Sequence, residues 1–458
     1  MNSNGKKPFK NSSSHSERAP AKPGLQARSA AVKILAAVVD KKLPLDGALD
    51  HENGNPAYKA LGENDRALVR AILNSALRHM PRIDAAIASL LDTPLPEGAR
   101  ALHHVLAVGA AQILYLDVPD HSAVDLAVEQ ANGDPRNRRF AKLVNAILRR
   151  IGREKEEILA SVADVPAMPD WFLARLKKAY GKDAALAISE SQLEPAAIDL
   201  TVKSDAAGWA ARLNGAVLPT GGLRLAAFDG SIPSLEGFED GEWWVQDAAA
   251  SIPAKLFGDL TGKRVADLCA APGGKTAQLI LAGGDVTAID QSESRLKRLR
   301  SNLARLGLQA ETLATDLTKF QPDEGFDAIL LDAPCSSTGT TRRHPDVLWT
   351  KGPEEISKLA GVQERLLRHA LTLLKPNGVI VFSNCSLDPA EGEDVVARVL
   401  ADVPSVARVP IDPAAWPGLE QAISPVGDFR TTPVMLPMTG GIASGLDGFY
   451  AAMLRRVA

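Results

Sequence analysis

Cysteine is scarce here: 458 residues hold three, Cys269, Cys335 and Cys385. A small, odd number in a long chain argues against a disulfide framework and for a reducing, cytoplasmic setting. Long apolar runs are also lacking. None approaches the roughly 20 residues a membrane-spanning helix needs, so no membrane association is expected. Residues 1–24 contain Ser, Asn, Pro and Lys but no apolar block, which argues against a secretory signal. They read as a flexible tail, cationic through Lys6, Lys7, Lys10, Arg18 and Lys22 against Glu17. Positive charge is not in excess overall. A formal net charge of −3 excludes a uniformly basic molecule, so any nucleic-acid contact must come from local patches.

The length gives a prior of about two or three domains, and 45% hydrophobic residues supply their cores. From residue 25 to 153 the pattern is all helical. Val32, Leu35 and Val39 recur at three- and four-residue spacing, as do Leu68, Ile72, Leu73 and Leu77, with further runs at 102–116 and 122–132. The last segment, 136–153, carries Arg136, Arg138, Arg139, Lys142, Arg149, Arg150 and Arg153 with no acidic residue among them. Phe140, Val144, Ile147 and Ile151 give it an apolar stripe. An amphipathic helix with a single-sign face is expected to touch RNA. Residues 154–242 read as a small α+β connecting domain, with a helix over 171–180 and short strands at 198–202 and 223–226. From 243 to 458 strands and helices alternate. Strands are expected at 264–268, 286–289, 311–313, 328–331 and 379–383, and a helix over 293–306 stopped by Gly307. Such repetition predicts a mostly parallel sheet covered by helices, a Rossmann-like α/β domain.

Ligands of open α/β sheets bind at the carboxyl ends of the strands. Those ends here carry Asp267 and its loop, Asp290, Asp316, Asp332 with Cys335, and Cys385. The first loop reads Cys269, Ala270, Ala271, Pro272, Gly273, Gly274, Lys275, Thr276. Its small residues let a ligand approach the backbone. A phosphate-binding P-loop would need glycine five positions before Gly274, where Cys269 stands. No Gly-x-Gly-x-x-Gly follows Asp267 either, which disfavours a nicotinamide oxidoreductase. A cofactor without polyphosphate fits, with Asp290 placed to hold ribose hydroxyls; an adenosyl cofactor of this kind is S-adenosylmethionine. No metal is called for. A free cysteine is commonly only a small buried hydrophobe, and Cys269 reads as packing within the cofactor loop. Cys335, behind Pro334 at a strand tip, and Cys385, ahead of a helix expected near Pro389, are nucleophile candidates. Helix N-termini favour thiolate, whereas Glu391, Glu393 and Asp394 in the first turn oppose it.

These motifs resemble the RsmB (Fmu/Sun) family of RNA cytosine-C5 methyltransferases along nearly the whole chain. The loop from Asp267 to Thr276 resembles the family's cofactor motif, Asp332 to Cys335 with Arg342 to Asp346 a second motif, and Cys385-Ser386 a third. Trp244 to Asp247, Arg430 to Pro433 and Asp447 to Tyr450 are similar too. The helical region resembles NusB, an RNA-binding antitermination fold. The chain departs from the family at Thr201-Val202-Lys203, where Arg-Val-Asn is frequent, and at Asn384, where threonine is. The resemblance implies S-adenosylmethionine as cofactor, small-subunit ribosomal RNA as partner, no DNA, and a covalent adduct at cytosine carbon 6. It also implies Cys385 as attacking thiolate and Cys335 as the thiol aiding release. Asp332, kept neutral by burial, would bond near N3 with support from Lys275, while Asp290 and Asp316 would hold the ribose and adenine. No surplus hydrophobic segment calls for a second copy, so a monomer is expected. Two rivals share some of these features: the same chemistry on tRNA, and a non-catalytic RNA-binding assembly factor. Methylation of an adenine amino group is disfavoured because Asp332-Ala333-Pro334-Cys335 offers a thiol in place of a stacking aromatic.

Overall fold

The structure, a computed structural model, describes residues 22–457 apart from His51, Ala227 and Asp229. The expected tail lies almost wholly outside the described residues. Helical spacing becomes helical packing in residues 25–153. Helices Leu25–Lys41, Glu63–Arg78, Arg100–Tyr115, Asp120–Gly133 and Ala141–Arg153 bury Leu35, Ile72, Leu106, Ile113 and Leu148 in one core. Each such side chain contributes about 1.5–3 kcal/mol by leaving water. Two of these helices cross closely at Gly109, where an added Cβ would lie 2.6 Å from Leu148 Cδ1.

The basic run is not one helix. Residues 134–137 form a turn in which the Asp134 carboxylate accepts from the Arg136 backbone N–H and guanidinium, each at 2.9 Å. A 3-10 turn follows at Arg138–Phe140, and the α-helix begins only at Ala141. Its apolar stripe, Val144, Ile147, Leu148 and Ile151, is buried, which leaves the arginines exposed.

Residues 154–242 do not gather around a single core. Helix Lys155–Ser161 adds Ile158 to the helical core before it. Helices Asp170–Tyr180 and Lys182–Ser191 pack Phe172, Leu176 and Ile188 against Leu348 and Leu387 of the region beyond. The short strands β1 (Asp199–Val202), β2 (Gly215–Val217) and β3 (Leu223–Leu225) take β4 (Trp243–Val245) into an antiparallel sheet ordered β2-β3-β1-β4. Trp243, expected to open the last region, therefore belongs to this small sheet. It is fully buried there against Leu200 and Trp209.

The large sheet contains β5 (Arg264–Leu268), β6 (Asp285–Asp290), β7 (Glu311–Ala314), β8 (Phe326–Asp332), β9 (Leu374–Asn384), β10 (Val406–Arg408), β11 (Phe429–Thr431) and β12 (Phe449–Arg456). Its order is β10-β12-β9-β8-β5-β6-β7, with β11 on β12. The five strands from β9 to β7 are parallel; β12 runs antiparallel beside β9. β5, β8 and β9 are buried along most of their length by helices on both faces, as near-continuous apolar runs such as Ile329-Leu330-Leu331 require. The chain runs outward from β5 to β6 and β7, then returns to β8 and β9. This reversal opens a crevice at the tips of β5 and β8.

Candidate active site

A cavity of about 290 Å³ lies in that crevice, lined by Val245, Gln246, Asp247, Ala250, Asp267, Cys269, Ala270, Ala271, Pro272, Gly274, Lys275, Asp332, Arg343 and Asp447. Its floor is the loop after β5. Cys269 starts the loop at φ 63° and Gly273 closes it at φ 101°; a Cβ on Gly273 would sit 2.9 Å from Leu299 Cγ. Three bonds pin the loop: Arg295 Nη2 to Ala271 O at 2.6 Å, Asn302 Nδ2 to Pro272 O at 2.9 Å, and Thr276 Oγ1 to Asp267 Oδ2 at 2.6 Å. Burial pushes the Cys269 thiol up to about 12. It stays protonated, and the loop's contribution is its shape. The small-residue floor and the carboxylate at the neighbouring strand tip suit an adenosyl cofactor.

Cys335 and Cys385 come from loops beyond β8 and β9 and meet with their sulfurs 3.4 Å apart. The hydrogen bond to Cys385, then burial, pushes the Cys335 thiol well up. Cys335 therefore keeps its proton, within hydrogen-bond distance of the Cys385 sulfur. The helix expected near Pro389 is a 3-10 turn, Pro389–Glu391, and the α-helix starts at Glu393. Its N-terminus does not address Cys385. Glu391 turns inward and is fully buried; it accepts from Ser336 N at 2.8 Å, Gln363 Nε2 at 3.1 Å and Ser386 Oγ at 2.6 Å. A residue expected to oppose a thiolate is thus the tie between the two cysteine loops.

Lys275, in the first turn of helix Gly274–Leu281, reaches across to Asp332 with Nζ–Oδ2 at 2.7 Å. Burial alone would lower the Lys275 ammonium, but Asp332 and then Cys385 outweigh it, and the net shift is upward. Asp332 also accepts from Ser383 Oγ at 2.9 Å. Its side chain is 29% exposed and paired with a cation.

Asp290 and Asp316 stand at the tips of β6 and β7 but do not line the cavity. Asp290 is buried and engaged by Ser292 N at 3.0 Å, Ala271 N at 3.3 Å and Arg295 at 3.1 Å. Asp316 is half-buried, and the Thr318 hydroxyl holds its carboxyl below the usual range. Thr201, where the sequence departs from the family, donates to Gln246 Oε1 at 2.8 Å; Gln246 in turn donates to Gln278 at 2.9 Å. It supports the cavity wall.

The sequence reading gave no role to Asp247, Arg343 and Asp447. Arg343 donates to Asp247 Oδ2 at 2.6 Å and to Asp447 Oδ2 at 3.1 Å, and behind them Asp199 and Arg224 form a fully buried bidentate pair. Burial first, and Asp247 next, push the Asp447 carboxyl up against the pull of Arg343. Burial takes Asp267 up to about 7. All three lie inside the quoted motifs, Asp247 closing Trp244–Asp247, Arg343 within Arg342–Asp346 and Asp447 opening Asp447–Tyr450, so their signal was present but without an assigned role.

A parallel core that reverses at β5, extended by an antiparallel last strand and carrying a small-residue loop at the reversal, is the Rossmann-like fold of methyltransferases. Comparison with known proteins narrows this. The model of the family described as 16S rRNA methyltransferase RsmB/F matches residues 259–455, and that of the NusB family residues 25–153. A Vibrio vulnificus protein named ribosomal RNA small subunit methyltransferase B is 34% identical over 94% of this chain and 99% of its own length. The solved structure of PH0851 shares the fold with a TM-score of 0.69, at 21% identity over 96% of this chain and 100% of that one. NSun6 from Pyrococcus horikoshii, solved with SFG, does so at 0.54, with 19% identity over 64% of this chain and 100% of that one. The chain belongs to the RsmB/F methyltransferase family, joined to a NusB-family domain.

Proposed function

We propose that this protein methylates carbon 5 of a cytosine in small-subunit ribosomal RNA through a covalent cysteine adduct. The observation that carries the reading is the thiol pair, 3.4 Å apart, beside the Lys275–Asp332 ion pair at adjacent strand tips. Carbon 5 of cytosine is too weak a nucleophile to take a methyl group directly. Addition of the Cys385 thiolate at carbon 6 moves ring electrons toward N3 and makes carbon 5 enamine-like. Lys275 gives up an ammonium proton, which Asp332 relays to N3 as that charge develops, leaving Lys275 as the neutral amine. Preorganised charge of this kind acts strongly in a site shielded from water. S-adenosylmethionine supplies the electrophilic methyl; the loop from Cys269 to Lys275 would hold it, with Asp290 at the ribose and Asp316 at the adenine. Water takes the carbon 5 proton, the C–H electrons form the carbon 5–carbon 6 double bond and expel the Cys385 sulfur as a thiolate that the Cys335 S–H stabilises, and the N3 proton returns through Asp332 to Lys275.

The relatives' names support ribosomal RNA as substrate, and the exposed arginines of helix Ala141–Arg153 supply cationic contacts. The target base must be unpaired or extruded to reach the thiols. The reading includes a monomer acting on RNA and not on DNA. The test offers labelled S-adenosylmethionine with small-subunit ribosomal RNA or tRNA, each lacking base modifications, and maps the product. The expected result is 5-methylcytosine at one position of the ribosomal RNA. Label confined to tRNA contradicts the substrate, and label on an adenine contradicts the chemistry.

A further inference from the structure

Glu391 holds the two cysteine loops together, but its carboxylate has no part in the chemistry above. It is fully buried and lies outside the lining of the cofactor cavity. Among the described residues it accepts only from neutral donors. Oε1 takes Ser336 N–H at 2.8 Å and Gln363 Nε2 at 3.1 Å; Oε2 takes Ser386 Oγ at 2.6 Å and the Ser336 hydroxyl. Burial pushes the Glu391 carboxyl up, against the pull of the two serines. A buried carboxylate held by neutral dipoles alone is costly, and an amide in its place would join neutral loops with no charge to bury. A charge kept under those conditions calls for a use.

Every one of those donors serves a cysteine. Ser336 follows Cys335, and Ser386 follows Cys385. Gln363, from helix Pro353–Thr372, also donates to Pro334 O at 2.9 Å, just before Cys335. Glu391 O accepts from Asn384 Nδ2 at 2.7 Å, and Asn384 Oδ1 accepts from Ser386 N at 3.0 Å, which closes the frame on both sides of Cys385. Both sulfurs are thus carried by backbone pinned before and after them, with Glu391 at the centre. This frame sets the 3.4 Å between them. The carboxylate acts through its charge as well. The bond to Cys385 and then burial do most to hold the proton on Cys335, and the negative charge of Glu391 adds to them.

We propose that Glu391 is a positioning residue for product release, keeping the Cys335 S–H within reach of the Cys385 sulfur so that the adduct breaks after methyl transfer. The inference rests on the covalent reading above and deepens it. Glu391 reaches neither base nor cofactor and acts through Cys335. Attack and methyl transfer use the Cys385 sulfur and the Lys275–Asp332 pair, whereas expulsion also uses the S–H. Loss of the carboxylate therefore slows expulsion more than methyl transfer.

The test follows single-turnover methyl transfer and the covalent adduct side by side, with the full chain, S-adenosylmethionine and unmodified small-subunit ribosomal RNA. Glu391→Gln keeps the size and removes the charge. It should raise the ratio of adduct to released methylated RNA about tenfold or more over wild type, with Cys335 still in place. Combined with Cys335→Ala, it should raise that ratio no further than Cys335→Ala alone, since both changes act on one group. An unchanged ratio with methyl transfer and release lowered together would make Glu391 a structural residue only, and additive effects would place its action elsewhere; either overturns the proposal. Should Glu391→Gln not fold, Ser386→Ala decides: it removes one donor beside Cys385, and an unchanged ratio there overturns the proposal equally. Adduct with Cys335→Ala but not with Glu391→Gln removes this inference alone; methyl transfer without adduct in either variant removes the covalent reading with it.

Discussion

Lys275 donates a side-chain hydrogen bond to Asp332, and its ammonium also lies 5.0 Å from the centre of the Phe449 ring. A cation held between a carboxylate and an aromatic face has little freedom, and its charge is fixed where N3 of the base is to be protonated. Lys275→Met keeps the apolar stem and removes the charge. It should lower the single-turnover rate about 100-fold or more. Binding of S-adenosylhomocysteine should fall much less, since the backbone and small residues of the loop hold the cofactor more than the Lys275 charge does. Equal loss in both measurements would place Lys275 in cofactor binding instead. The residues themselves were legible, because the strand tips could be read from the alternation of apolar runs and helices. Their partnership came only from the family resemblance and not from spacing. It depends on helix Gly274–Leu281 turning Lys275 back over β8, which no local pattern encodes.

The elements around the thiols are held together by backbone. Gly339 donates to Cys385 O at 2.9 Å and accepts from Gly448 N at 2.8 Å, so the loops after β8 and β9 and the segment before β12 meet at one residue. A Cβ on Gly339 would lie 1.9 Å from Gly448 O. Neither side is a flexible side chain. Gly339→Ala should therefore part the loops at a cost of about 1–3 kcal/mol, lowering both the melting temperature and the rate of adduct formation. Unchanged stability and rate would show that the meeting of these backbones is not needed. Periodicity resolved the strands and the long helices well, since burial on one face or both leaves a plain trace in the sequence. It failed where short-range polar bonds govern. Asp134 breaks the basic run before Ala141, and Glu391 turns inward to the serines of both cysteine loops instead of starting a helix.

At the scale of the molecule, the helical region is fastened to the active-site loop. Arg78 donates to Gln192 O at 2.6 Å and to Glu194 O at 3.2 Å in the connecting stretch, and to Arg342 O at 2.8 Å beside Arg343. Trp349 Nε1 donates to Leu77 O at 2.9 Å, and Asp346 accepts from Leu45 N at 3.0 Å. These joints span up to 301 positions of sequence, which is why no reading of local spacing finds them. They make the helical region part of the scaffold that positions Arg343 and Cys335. Arg78→Gln should lower the rate at saturating RNA about tenfold through misplaced groups. Replacing Arg149 and Arg150 with Gln should instead weaken RNA binding and flatten its salt dependence, leaving the saturated rate in place. An Arg78→Gln defect confined to RNA affinity would reduce the helical region to a tether.

The most direct measurement is the covalent adduct itself. Cys335→Ala and Cys385→Ala proteins are incubated with S-adenosylmethionine and unmodified small-subunit ribosomal RNA, then resolved under denaturing conditions. The account predicts a protein–RNA species that accumulates with Cys335→Ala and is absent with Cys385→Ala, which should also transfer no methyl group. Accumulation with Cys385→Ala would reverse the two thiols, and methyl transfer by both variants without any adduct would contradict covalent catalysis.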